Sequence, residues 1–194
     1  MSATAQHTVA LFPLTAHILP GGRLPLRIFE PRYLRMVKES IAAQQGFGIC
    51  MLDPAGHEHN NSHILPIGTL VNVIDFEPRA DNMLGITVEG QQLFRIQQIH
   101  TAADGLRSAE VVLLEGWPAS PLRLQDKLLP QRLQEVFDAY PELAELYPDK
   151  KLDDAAWICQ RWLEILPLEP QQKQALLANN PLPVTRDFIY QLLT

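Results

Sequence analysis

Apolar positions along this chain fall into two regimes. As far as the GWPASP segment they come in short runs bounded by turn residues, and beyond Pro121 they recur at helical spacing. The first regime predicts strands at residues 8–14 (TVALFPL), 47–52 (FGICML) and 67–77 (IGTLVNVIDFE), the last followed by the turn chemistry of RADN. Two more strands are expected from LGITVEG and QLFRIQQIHT, and a further one from SAEVVLLEGW after the DGL punctuation. One helix interrupts them. It begins at EPRYL, with Pro31 in the first turn and Glu30 at the positive helix end, and places Leu34, Val37 and Ile41 on one face. Gly46 is its expected stop.

The second regime predicts a helix from Leu122 that Pro130 kinks or splits. DDAAWICQRWLEILP predicts a strong helix capped by Asp153 or Asp154, with Ala155, Cys159, Trp162 and Leu166 on one face. Trp157 lies off that face, so Trp162 is expected to be the more buried of the two. A helix from Pro170 that stops before Pro181 follows, and then a last one over TRDFIYQLL with Thr185 as its cap. The fold class is therefore α+β: a β-rich domain over 8–118 with one inserted helix, then a helical bundle over 119–194.

The chain has 194 residues, 20% charged, with a net charge of −6. That size supports a substantial core, and the charge argues against nucleic acid as a partner. Cys50 and Cys159 are far apart and form no CxxC pair, so two buried reduced thiols are expected. The N-terminus has no signal-peptide pattern and no run approaches a membrane span, which together predict a cytoplasmic protein.

Candidate chemistry is sparse. The DPAGHEHNNSH segment departs from HExxH at Asn61 and reads as a polar surface loop, not a metal site. There is no phosphate-cradling GxxxxGK[ST] and no GxSxG elbow, and Cys159 sits on an apolar stripe. No catalytic residue, metal or cofactor is expected. Arg79 and Arg95 with Phe76 and Phe94 could stack bases, but core packing is the favoured reading.

The stretch LFPLTAHILPGGRLPLRIFEPRYLRMV resembles the start of the Lon N-terminal, or substrate-binding, domain family. FGICML, the Gly68–Thr69 strand, Gly90 and Phe94 in ITVEGQQLFRI, and the helical tail resemble the family's later pieces in order. Leu93 departs from the arginine the family carries there. The resemblance implies a PUA-like pseudo-barrel followed by a helical bundle, without ATPase or protease modules. It also implies a non-catalytic module that recognises unfolded or exposed polypeptide in protein quality control. Within it, LPGGRLPL would be a turn and crossover that lays Leu24, Leu26 and Ile28 on the barrel. Arg27, Glu30, Arg32 and Tyr33 are the candidate peptide-binding residues, with Arg27 and Glu30 close enough to interact. The structural alternative is that Arg27 meets backbone carbonyls or an acid at the barrel edge. An RNA-binding PUA-like module and a cryptic hydrolase are the rival functions.

Overall fold

The computed structural model describes residues 7–80, 82–178 and 181–194. The readings made on residues 1–6, on Asp81 in the RADN turn and on the helix stop at 179–180 lie outside them. The chain divides into two compact units, Met1–Gly116 and Trp117–Thr194.

In the first unit, strands β1 (His7–Leu14), β2 (Arg23–Ile28), β3 (Phe47–Leu52), β4 (Ile64–Pro78), β5 (Leu84–Thr101) and β6 (Arg107–Leu113) form one mixed sheet in the order β2-β5-β4-β3-β1-β6. A second pairing of β6 with β5 closes a hydrogen-bonded circuit of five strands, with β2 outside it. Closure removes most free edges. β1 and β3 are parallel, so the chain must cross over between them; β2 and helix α1 (Pro31–Ala43) fill that connection.

Three expectations about this unit are corrected. LGITVEG and QLFRIQQIHT are one strand of 18 residues, not two. It serves β2 and β4 along its first part and β6 along its last, bending at register shifts instead of breaking. RLPLRI is a strand, not a crossover. Pro25 is tolerated because β2 lies at the sheet edge and pairs only with β5. Finally, α1 buries Tyr33, Met36 and Val37, leaves Leu34 half-buried and exposes Ile41; it ends on Gln44 in the left-handed conformation rather than at Gly46.

Two apolar clusters fill the unit. One packs α1 onto Phe12, Phe47, Val71 and Val88. The other holds Leu11, Cys50, Phe94 and Val111. Phe94 explains Gly68: a methyl group there would come within 2.4 Å of the Phe94 ring, and one at Gly48 within 2.6 Å. The buried Thr69 hydroxyl donates to Ile18 O at 2.7 Å and holds the segment after β1. Gly21 has φ 75°, and its N–H reaches Gly90 O at 2.8 Å. Leu93 is buried and apolar.

The second unit is helical among its described residues: α2 (Leu128–Ala139), α3 (Pro141–Ala144), α4 (Ala155–Ile165), α5 (Pro170–Ala178) and α6 (Leu182–Leu193), with a 3-10 turn over Leu124–Lys127. Pro130 neither kinks nor splits α2. It falls in the first turn, where no intrahelical N–H is needed. Asp154 caps α4 by accepting from Ala156 N at 3.0 Å. α6 starts before Thr185, which is buried inside it and donates to Leu176 O at 3.2 Å. α4 is buried on every side from Ala155 to Leu163, so the single-face expectation fails: Trp157 is 5% exposed and Trp162 4%, while Leu166 is half-buried. Cys50 and Cys159 are both free and buried.

Candidate functional site

Three of the four residues singled out in the sequence meet at the start of α1. The Arg32 guanidinium lies 2.8 Å from the Glu30 carboxylate, donates to Gly105 O at 3.0 Å and stands 4.8 Å over the Tyr33 ring. Gly105, at φ 82°, leaves room for it. Tyr33 is buried against Phe12, with ring centroids 4.3 Å apart. Burial pushes its phenol pKa up, against the opposing charge of Arg32. One turn on, Arg35 holds Asp104 at 2.5 Å, and Asp104 accepts from Leu106 N. These groups fasten the β5–β6 turn onto α1.

Arg27 stands elsewhere. The expected Arg27–Glu30 contact does not form, because Glu30 is taken by Arg32. Arg27 projects from β2 opposite Gly85 and is exposed, and its side chain makes no hydrogen bond or ion pair among the described residues.

The three-stranded ribbon β2-β5-β4 carries a second feature. Register places Pro25, Thr87 and Asp75 in one row and Arg27, Gly85 and Glu77 in the next. A concavity of about 300 Å³ opens over these rows, also lined by Phe76 and Arg79. Arg79 Nε lies 2.9 Å from where a Gly85 side chain would begin, and Arg79 Nη2 is 3.4 Å from Glu77. Asp75 turns one oxygen back to Phe76 N at 2.9 Å.

Core packing is the favoured reading of Phe76 and Phe94 with their arginines, with some of them inside. Phe94 is fully buried, but Phe76 is 57% exposed. The signal was available: Asp75, Glu77 and Pro78 surround Phe76, and such a run cannot be a buried central strand. A second hollow of about 260 Å³ between α1 and β4 is lined by uncharged residues, among them Ser40, Ile41 and Asn72. In the histidine loop the His57 and His59 rings stack 5.7 Å apart, while His63 is buried with Nδ1 3.3 Å from His57 O. Among the described residues no three His, Cys, Asp or Glu side chains are grouped to hold a metal ion.

A strand circuit with an attached edge strand, a crossover helix and C-terminal helices is the architecture of Lon N-terminal domains. A Lon N-terminal domain protein from Xanthomonas campestris superposes with a TM-score of 0.76 at 28% identity, over 97% of this chain and 99% of that one. The N-terminal domain of the Mycobacterium avium complex Lon protease shares the fold, with a TM-score of 0.62 at 15% identity, over 95% of this chain and 97% of that one. The profile of the ATP-dependent protease La (LON) substrate-binding domain matches residues 8–189, and the chain belongs to that family. Protein cereblon of Danio rerio is 28% identical in an alignment over 118 residues that covers 56% of this chain and 26% of that protein. The cereblon of Gallus gallus is 28% identical in an alignment over 113 residues that covers 54% of this chain and 24% of that protein. The chain thus spans about a quarter of the length of these curated relatives.

Proposed function

We propose that this chain is a polypeptide-recognition module with no catalysis of its own, which engages unfolded or exposed segments through the first unit. Its membership in a substrate-binding family supports this reading. The observation that carries it is the outer end of the β2-β5-β4 ribbon. There Phe29 is 64% exposed, Phe76 57% and Ile74 44%. Register brings Ile28, Leu84 and Pro78 level, so Phe29 and Phe76 flank one strand end. Apolar groups gathered at the surface mark interaction sites more than isolated ones do. Burial pushes both thiols up to about 12, which supports a non-catalytic role for them. The buried free thiols fit a cytoplasmic setting, and a part in protein quality control rests on the family membership.

The test is binding of a permanently unfolded, carboxymethylated protein against its native form. The unfolded form is expected to bind, and Ile74→Ser with Phe76→Ser to weaken it about tenfold. Equal binding by the double variant would remove the ribbon from the reading. Casein cleavage abolished by a point substitution in this chain would remove the non-catalytic role.

A further inference from the structure

The concavity on the ribbon face is small. At about 300 Å³ it sits at the lower bound of ligand pockets, enough for one or two side chains of an extended chain. Its charges are unevenly satisfied. Arg27 has no partner among the described residues, and Arg79 shares an exposed carboxylate at 3.4 Å. Of the two acids on the rim, Asp75 spends an oxygen on Phe76 N. Gly85 lies between Arg27 and Glu77 in register, and its missing side chain leaves room for the Arg79 guanidinium on the same face as Arg27. Phe76 borders the hollow through its backbone, and strand alternation turns its side chain to the other face, in the row of Leu26 and Ile86.

We infer that this hollow is a subsite for an acidic side chain of an extended polypeptide, its carboxylate held between Arg27 and Arg79. The inference rests on the polypeptide-recognition reading and adds a charge preference to it. Planar guanidinium groups pair with carboxylates through parallel N–H donors, which a lone unpaired arginine on a strand face can offer. A chain-terminal carboxylate fits less well. Those are captured by convergent backbone N–H groups, whereas a sheet face presents side chains and keeps its N–H groups in the ladder plane. A phosphate also fits less well, because a dianion meets Asp75 and Glu77 on the rim.

The experiment uses the full chain and short acetylated, amidated fluorescent peptides with the core Leu-Glu-Phe or Leu-Gln-Phe, read by anisotropy. The Glu peptide is expected to bind about fivefold tighter than the Gln peptide, the size of an exposed charge pair. Arg27→Gln should reduce that preference to less than about twofold and leave the Gln peptide unchanged. Arg79→Gln should reduce it in part. Arg132→Gln, a surface arginine of the helical unit, should not alter it. A Glu preference that survives Arg27→Gln, or no preference while the Gln peptide still binds, overturns the subsite and leaves the broader reading standing. Equal gain from a free C-terminus or from phosphoserine in place of Glu overturns the assignment to an acidic side chain. If neither peptide binds, both readings fall.

Discussion

The two units solve the burial of polar groups in opposite ways. In the strand unit the buried polar side chains among the described residues are His63 and Thr69. In the helical unit Asp126, Gln160, Arg161, Lys173, Gln174, Thr185 and Arg186 are all buried. The difference follows from backbone accounting. A closed strand circuit satisfies its N–H and C=O groups by pairing, so its interior can be almost wholly apolar. Each helix leaves four carbonyls at its end without an intrahelical donor. In this bundle side chains supply some of them: Thr185 donates to Leu176 O in the last turn of α5, and Lys173 approaches Glu164 O, at the end of α4, at 3.5 Å. Burial lowers the Lys173 pKa. Charge enters the bundle with them. Arg161 is buried beside Glu164 at 2.7 Å, 5.2 Å from the Trp157 ring and 5.7 Å from Tyr147. Asp126, fully buried, joins Arg123 at 2.8 Å and Arg186 at 3.3 Å.

Each unit has one cysteine, so thiol labelling separates them: Cys50 reports on the strand unit and Cys159 on the helical one. The largest expected effects are on the aromatic centre of the bundle. Trp162→Ala removes a buried ring and its hydrogen bond to Leu129 O, and Trp157→Ala removes the edge-on partner of Tyr147 at 5.5 Å. Each should cost about 3–5 kcal/mol in urea denaturation and accelerate Cys159 labelling. A loss at Trp157 of less than half that at Trp162 would restore the one-faced helix that the sequence suggested.

Asp126→Asn comes next, at about 3 kcal/mol, because it leaves Arg123 and Arg186 without their shared carboxylate. Burial alone would raise the Asp126 pKa. The hydrogen bonds from Arg123 and the charge of Arg186 outweigh it and hold the carboxyl below its ordinary value. A carboxyl whose folded pKa lies below its unfolded one stabilises the fold above the unfolded value, near 3.9, and that stabilisation is lost as the pH falls through the folded value. Acid titration below about pH 4 should therefore open Cys159 before Cys50, and Asp126→Asn should flatten that dependence. If Cys50 opens first, the contrast between the units is wrong.

The strand unit is tested by crowding it. Gly68→Ala puts a methyl group 2.4 Å from Phe94 and 2.9 Å from Cys50 Sγ, with an expected cost of about 1–3 kcal/mol. It should accelerate labelling of Cys50 and not of Cys159. Acceleration at both would mean that the units do not open separately.

What the sequence disclosed follows the same divide. Phe47–Leu52 was legible to the residue because its apolar run is bounded and central. β2 was hidden by Pro25 and by the glycines just before it, Gly21 and Gly22, since an edge strand tolerates a proline that a central one excludes. The face of α4 was misjudged because periodicity identifies an apolar side only when the other side meets water, and α4 meets none from Ala155 to Leu163; at α1 Val37 was placed correctly, but Tyr33 and Met36, not Ile41, complete the buried side. At the site, Arg27 was legible as an arginine in a specific stretch. Arg79 was not, because its place in the same hollow as Arg27 depends on the β2–β5–β4 register, and β2 is not legible as a strand.

The smallest expected effect sharpens the comparison from the surface. The Arg35–Asp104 pair is the strand unit's exposed counterpart to Asp126 and its arginines, with side chains 45% and 39% exposed. The Arg35 hydrogen bond, aided by that from Leu106 N, holds the Asp104 carboxyl below its ordinary value. In water-accessible positions such a pair is screened and costs side-chain entropy, so a lowered pKa need not carry fold stability. Arg35→Ala should return the Asp104 titration, followed by NMR, toward the ordinary carboxylate range. It should speed amide exchange at Leu106, whose N–H the carboxylate accepts at 3.1 Å, and leave the urea midpoint and Cys50 labelling unchanged. A midpoint loss as large as that of Asp126→Asn would show that the strand unit depends on charge as the helical unit does, and the contrast drawn from their interiors would fail.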